Sequence, residues 1–257
     1  MEEELRKKWK SEENIAKING WDFSYLENRY YEKPLSWSYY KIIKKYLKNE
    51  MKLLDIDTGG GEFLLSLKHP FENTSCTEGY EPNVELCMNK LKPLGINFKE
   101  AKDVAKLPFD DNSFDIVIDR HGSYNPIDVK RVLKDNGLFI TQQVGEKNDE
   151  DLVKILLPNN HTKYPNFNLT SQKELFEKNG FEIIDQKEEF GKIEFYDVGA
   201  IVWFSKIIEW EFEGFSVDKC FDELLECFKI IEKEGKFETK THRFLLVCKN
   251  KKYLKKL

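Results

Sequence analysis

The chain has 257 residues, with 46 acidic side chains against 41 basic ones for a net charge of −5, and a pI near 5.6. That length suits one large domain or one domain with an appendage, and the acidic balance argues against non-specific nucleic-acid binding, which usually needs a basic face. No stretch free of Asp, Glu, Lys and Arg exceeds the ten residues of 136–145, short of the roughly 18 that a spanning helix needs. The start, Met1-Glu2-Glu3-Glu4, lacks the apolar run of a secretory leader. A cytoplasmic chain with no membrane partner is therefore expected. Its five cysteines are odd in number and hold no C-x-x-C pair, so they read as reduced thiols. Neither they nor the four histidines have zinc-site spacing, and no metal is expected.

Taken in chain order, residues 1–50 mix Lys and Glu with aromatics, including Trp9, Trp21 and Trp37 and six tyrosines from Tyr25 to Tyr46. They read as a helical, aromatic cover ahead of the main domain, 51–257. MKLLDID at 51–57 is a buried strand, 62–67 starts a helix, and 75–80 is a second strand followed by a helix over 84–94. Short strands at 98–101 and 114–119, a helix at 127–133 and an apolar strand at 137–144 complete a run of strands spaced by helix-length segments. Such spacing implies βαβ units and a parallel sheet. Beyond it lie a helix at 171–179 closed by Gly180, a strand at 181–190, a helix at 197–208, an amphipathic helix at 216–234 and a final strand at 244–249. The economical fold is one doubly wound α/β domain with an insertion around 190–215.

The first strand runs into Asp55-Ile56-Asp57-Thr58-Gly59-Gly60-Gly61-Glu62. Glycines between a strand and a helix let the backbone approach a ligand that side chains would block. A dinucleotide fingerprint needs glycine at position 64, where Leu64 stands, and a Walker A loop needs Gly-Lys-Ser/Thr, which is absent. The turn instead resembles the first motif of the class I S-adenosylmethionine-dependent methyltransferases, of the type 11 kind: an acidic residue and then x-Gly-x-Gly-x-Gly. Asp55, Gly59 and Gly61 match, while Asp57 stands where the first glycine is usual. Its carboxylate either favours a cationic sulfonium or crowds the pocket.

Three further stretches carry the resemblance: Gly79-Tyr80-Glu81-Pro82; the acidic Asp103 ahead of Leu107-Pro108-Phe109 and Asp111-Asn112-Ser113-Phe114-Asp115; and Arg131-Val132-Leu133-Lys134. The resemblance implies a mostly parallel, seven-stranded Rossmann-like sheet with an N-terminal lid and S-adenosylmethionine as cofactor. It places Asp55, Asp57, Thr58, Gly59 and Gly61 at the turn and Glu81 with Pro82 at the second strand tip, where a carboxylate accepts the ribose hydroxyls. It also implies Asp103 and Val104 on the adenine and Asp119 with Arg120 near the methionyl end. Arg120 pairs with an acidic substrate, with Asp119 or with the cofactor's carboxylate.

Methyl transfer is a direct displacement, so aligning the groups does most of the work, and sequence names the cofactor better than the acceptor. His121, at the tip of the strand ending near 119, is the candidate general base. Trp21, Tyr30, Tyr124, Gln143 and Tyr196 are candidate acceptor contacts; Gln142 and Gln143 together break an apolar strand, so that one of them leaves the core. The cover aromatics either stack on the acceptor or form the cover's own core, and packing is the expected role of Trp203. A small-molecule acceptor is the leading expectation. RNA methylation, and cofactor binding without turnover, are the alternatives.

Overall fold

A computed structural model describes residues 1–17, 22–103, 105–160 and 163–251. The strands are β1 (Tyr30–Glu32), β2 (Leu53–Ile56), β3 (Thr74–Glu78), β4 (Asn97–Glu100), β5 (Phe114–Arg120), β6 (Leu133–Val144), β7 (Phe181–Phe195) and β8 (Phe237–Asn250). They form one sheet in the order β1-β7-β8-β6-β5-β2-β3-β4. The five strands from β4 to β6 pair in parallel, β8 runs against both β6 and β7, and β1 against β7. The sheet thus has eight strands where seven were expected. The extra one is β1, a three-residue piece of the cover too short to show an alternating pattern, whose Tyr30 pairs with Phe195.

Nine helices lie among the described residues: α1 (Glu2–Ile15), α2 (Tyr39–Tyr46), α3 (Glu62–Ser66), α4 (Glu81–Lys90), α5 (Pro126–Val132), α6 (Glu150–Leu156), α7 (Leu169–Lys178), α8 (Val198–Ile207) and α9 (Phe221–Glu234). Local chemistry sets their ends. Pro82 opens α4, Asn125 caps α5, and Asn168 with Ser171 forms a capping box on α7. Strand alternation sends Leu53, Ile116 and Ile118 to one face, packed with Ile43, Leu64 and Cys87 of α2, α3 and α4. Leu54, Ile56 and Val117 go to the other face, with Val129 of α5 and Phe176 of α7.

A third core joins the cover to the sheet's far end. Trp9 of α1 packs among Val198, Ile201, Trp203 and Leu224 of α8 and α9, and Trp203 stacks on Tyr25 at 5.3 Å between ring centroids. Trp203 is thus a packing residue. All five cysteines are free and buried. Among the described residues no helix is long and apolar enough to cross a membrane, and no cluster of His, Cys, Asp and Glu is arranged to hold a metal ion.

The strand order reverses between β2 and β5, which opens a crevice beyond their carboxyl ends. The glycine turn after β2 and residues 119–122 at the end of β5 meet there.

Candidate active site

The turn after β2 has a left-handed backbone at alternate residues: Asp57 at φ 51°, Gly59 at φ 62° and Gly61 at φ 78°. Aspartate tolerates this conformation better than most residues, so Asp57 does the backbone work of the missing glycine. At Gly61 a Cβ would also meet the Leu91 side chain at 2.7 Å. Thr58 donates its hydroxyl to Asp55 Oδ2 at 2.6 Å and its amide to the Thr77 carbonyl at 3.0 Å, tying the turn to β3.

The carboxylate at the tip of β3 is Glu78. The expectation that Glu81 fills this place is corrected by the strand's end: β3 stops at Glu78, Gly79 and Tyr80 make the turn, and Glu81 is already on α4. Glu78 is buried, and its Oε2 accepts from the Gly59 amide at 2.7 Å while Oε1 accepts from the amides of Gly79 and Tyr80 at 2.9 Å. The Asn83 side-chain amide approaches Oε2 loosely, at 3.5 Å. Glu81 is 79% exposed and faces Lys102 at 3.4 Å, and Pro82 is exposed beside it. A readable signal existed in the sequence. Gly79 directly after Glu78 breaks the strand, and Pro82 marks a helix's first turn.

Asp103 is exposed and accepts from the Ala105 amide at 2.7 Å; Val104 lies outside the described residues. Arg131 braces this loop, donating to the carbonyls of Leu107 and Phe109 at 2.8 and 2.7 Å and pairing with Asp128 at 2.6 Å. One conspicuous motif thus holds another in place.

Across the crevice, Asp119 is fully buried. Its Oδ1 accepts from the Thr141 hydroxyl at 3.3 Å and from the Gln143 amide. Its Oδ2 has no partner and lies with Asp57 Oδ2 against Gly122, where a Cβ would meet them at 2.8 and 3.0 Å. Burial, together with the neighbouring carboxylates, pushes Asp55 up to about 7 and Asp57 up to about 6, and raises Asp119 well above the carboxylate range. Backbone donation from Ser123, at 3.1 Å, partly offsets the rise at Asp57.

Next to this acidic crevice, under the cover, is a cavity of about 430 Å³ whose wall includes Glu32, Trp37, Tyr39, Phe63, Arg120, His121, Gln142 and Arg243. The Tyr39 hydroxyl lies 2.9 Å from the carbonyls of Asp119 and Ile140, and its ring stacks on Phe63, locking α2 onto the strand tips. Trp37 donates its indole N–H to Gln142 Oε1 at 2.9 Å. The His121 amide donates to the Gln142 carbonyl at 2.9 Å, and the ring's Nε2 lies 3.4 Å from Gln142 Nε2. Water reaches the His121 ring, but crowding by the cleft walls and the positive charges of Arg243 and Arg120 hold its pKa well below the usual value. The ring is neutral at pH 7.

Several expected acceptor contacts lie elsewhere. Gln142 is the glutamine that faces the cavity, because alternation along β6 turns Gln143 to the Asp119 side. Tyr124 packs on Phe139 and Phe176 and donates to Gln172 at 3.0 Å. Tyr30 stacks on Phe195, and Tyr196 is exposed beside Glu194. Trp21 lies outside the described residues. Glu32 and Arg243 had no sequence signal as a pair, since they sit on strands 211 residues apart.

The profile of a methyltransferase domain family matches residues 54–141, the stretch from the glycine turn to the end of the crevice. Residues 54–141 are a methyltransferase domain, of the class I, S-adenosylmethionine-dependent kind. No curated protein sequence matches the chain. Among solved structures, the methyltransferase resembles a Bacillus halodurans protein named for a methyltransferase, with TM-score 0.57, 16% identity, and 84% of this chain and 99% of that one covered. The YcgJ protein of Bacillus subtilis follows with TM-score 0.55, 17% identity, and 83% and 98% covered. SpnF, a cyclase, has TM-score 0.50, 15% identity, and 82% and 79% covered. These likenesses are of fold.

The chemistry of the crevice suits the cationic S-adenosylmethionine. Asp119 Oδ2 is buried without a partner and Asp57 lies beside it with a raised pKa, a pair of carboxyls that a cation would satisfy, and the turn next to them is left-handed backbone with little side chain.

Proposed function

We propose that this methyltransferase acts on a small organic acceptor held in the cavity under the cover. The carrying observation is the position of that cavity: its wall includes Arg120 and His121, which directly follow the crevice residue Asp119 on the chain. A space of about 430 Å³ suits a ligand of metabolite size. S-adenosylmethionine, when bound, supplies an activated methyl group on a positively charged sulfur. Asp57, Asp119 and Glu78 hold the cofactor, with Glu78 offering its carboxylate to the sugar. Asp103 and Val104 sit on the loop assigned to the base.

The chain's own contribution to the reaction is alignment and exclusion of water. Tyr39 and Phe63 close the cavity floor, and Trp37 pins Gln142. Neutral His121 accepts the proton that a hydroxyl or amine acceptor gives up, its ring held at the strand tip by Gln142. A cyclase shares the fold, so architecture alone leaves the reaction open; the family match and the acidic crevice support methyl transfer. Against RNA, the cavity's cations form no free basic stripe: Lys33 pairs with Glu189 at 3.7 Å and Arg243 with Glu32 at 3.1 Å.

The test is incubation with methyl-labelled S-adenosylmethionine and cell extract separated into small-molecule and RNA fractions. Label should enter the small-molecule fraction, and His121→Ala should slow its appearance by at least about 100-fold. Label in RNA, or in neither fraction, contradicts the reading.

A further inference from the structure

We propose that the acceptor is an anion, a carboxylate or phosphate on a flat apolar body, and that Arg120 binds its oxygens. The inference rests on the reading of the cavity as the acceptor site. Three cationic side chains line that wall. Lys33 and Arg243 are matched by Glu189 and Glu32, and Arg243 is further held by the Asn148 side chain and the His242 carbonyl. Arg120 differs: among the described residues it makes no hydrogen bond or ion pair, and its guanidinium lies over the Phe63 ring at 5.3 Å from the centroid. Its sequence neighbour Asp119 is turned away, its oxygens directed to Thr141, Gln143 and the Gly122 side.

A guanidinium fixed on an aromatic face presents its remaining N–H fork edge-on, the geometry that holds a carboxylate or phosphate in two parallel bonds. Beside it, Trp37, Tyr39 and Phe63 form apolar walls for a flat body. The wall's charge decides against a cationic acceptor. With Glu32 spent on Arg243, the unmatched Arg120 leaves the cavity positive. The two halves of the site are therefore opposite in sign, acidic where the cofactor's cationic end lies and basic where the acceptor enters. The Arg120 fork could instead serve the cofactor's own carboxylate, and the experiment separates these sources.

Calorimetric titration of indole-3-acetate, 1-naphthyl phosphate and the neutral indole-3-acetamide, each with and without S-adenosylhomocysteine, tests the assignment. At least one anion should bind at least about tenfold tighter than the amide, the size a charge-assisted hydrogen bond gives. Arg120→Gln should abolish that preference. Lys178→Gln, which removes the same charge at the exposed end of α7, away from the cavity wall, should keep it, and Arg120→Lys should retain only part. S-adenosylhomocysteine affinity should stay within about threefold in Arg120→Gln, less than one charged hydrogen bond is worth. The proposal is overturned if no anion is preferred, if Arg120→Gln leaves the preference intact, or if that change weakens S-adenosylhomocysteine instead. Absence of any S-adenosylhomocysteine binding by the wild-type chain would sink the methyl-transfer reading separately, since the anion preference is read without it.

Discussion

The crevice and the cavity adjoin, yet they are made in different ways. The crevice comes from consecutive residues: a strand tip and the turn or helix start after it, three times over, at Asp55–Gly61, Glu78–Glu81 and Asp119–Gly122. Its surface is backbone and buried carboxylate. The cavity is assembled from five separate places in the chain, 32–40, 63, 120–121, 142 and 243, and its surface is aromatic and cationic. A short-range site shows itself as a motif. A long-range site exists only once the sheet has formed.

The largest expected effect tests the claim that Glu78 organises the crevice. Glu78→Ala removes the acceptor for the Gly59, Gly79 and Tyr80 amides. With about 1–3 kcal/mol for the buried Gly59 donor left unpaired and less for the half-buried Gly79 and the exposed Tyr80, which water reaches, the loss should be about 2–4 kcal/mol in chemical denaturation. Glu81→Ala removes only an exposed ion pair and should cost less than about 0.5 kcal/mol. Equal losses would erase the distinction between the two carboxylates.

An intermediate effect should appear with pH. Asp57 at about 6 and Asp55 at about 7 hold protons in the ligand-free fold that an unfolded chain would release, and burial raises Asp119 in the same direction. The stability these groups give is thus greatest in acid and declines as pH rises through about 6 to 7. A bound cation lowers these pKa values, so cofactor binding releases protons. Affinity for S-adenosylmethionine should rise several-fold between about pH 5.5 and 7.5, more steeply than for S-adenosylhomocysteine, whose sulfur is uncharged. Calorimetry in two buffers of different ionisation enthalpy would detect the protons. Asp57→Gly keeps the left-handed backbone and should flatten the rise; an affinity that falls with pH would contradict the acidic crevice.

The same contrast explains how much was legible beforehand. The parallel sheet and the glycine turn stood out because period and turn chemistry are local. Asp57 was readable as a departure, and only its φ of 51° shows why the departure is tolerated. Glu81 follows a strand read as 75–80, but the strand ends at Glu78, so the carboxylate at its tip is Glu78. Gln142 and Gln143 could not be sorted, because both faces of β6 are covered and nothing in the sequence marks its parity. Arg243 and Glu32 were invisible, since β8 and β1 carry them from opposite ends of the chain. Trp37, in turn, was one aromatic among many until β6 supplied Gln142 as its partner.

The most direct measurement is a calorimetric titration of S-adenosylhomocysteine into the wild-type chain, Glu78→Gln and Glu81→Gln, each first shown to be folded. One molecule should bind per wild-type chain, Glu81→Gln should bind as the wild type does, and Glu78→Gln should bind at least about tenfold more weakly, as loss of charged hydrogen bonds requires. No binding to the wild type, or a loss in Glu81→Gln with Glu78→Gln unaffected, would contradict a crevice built around the end of β3.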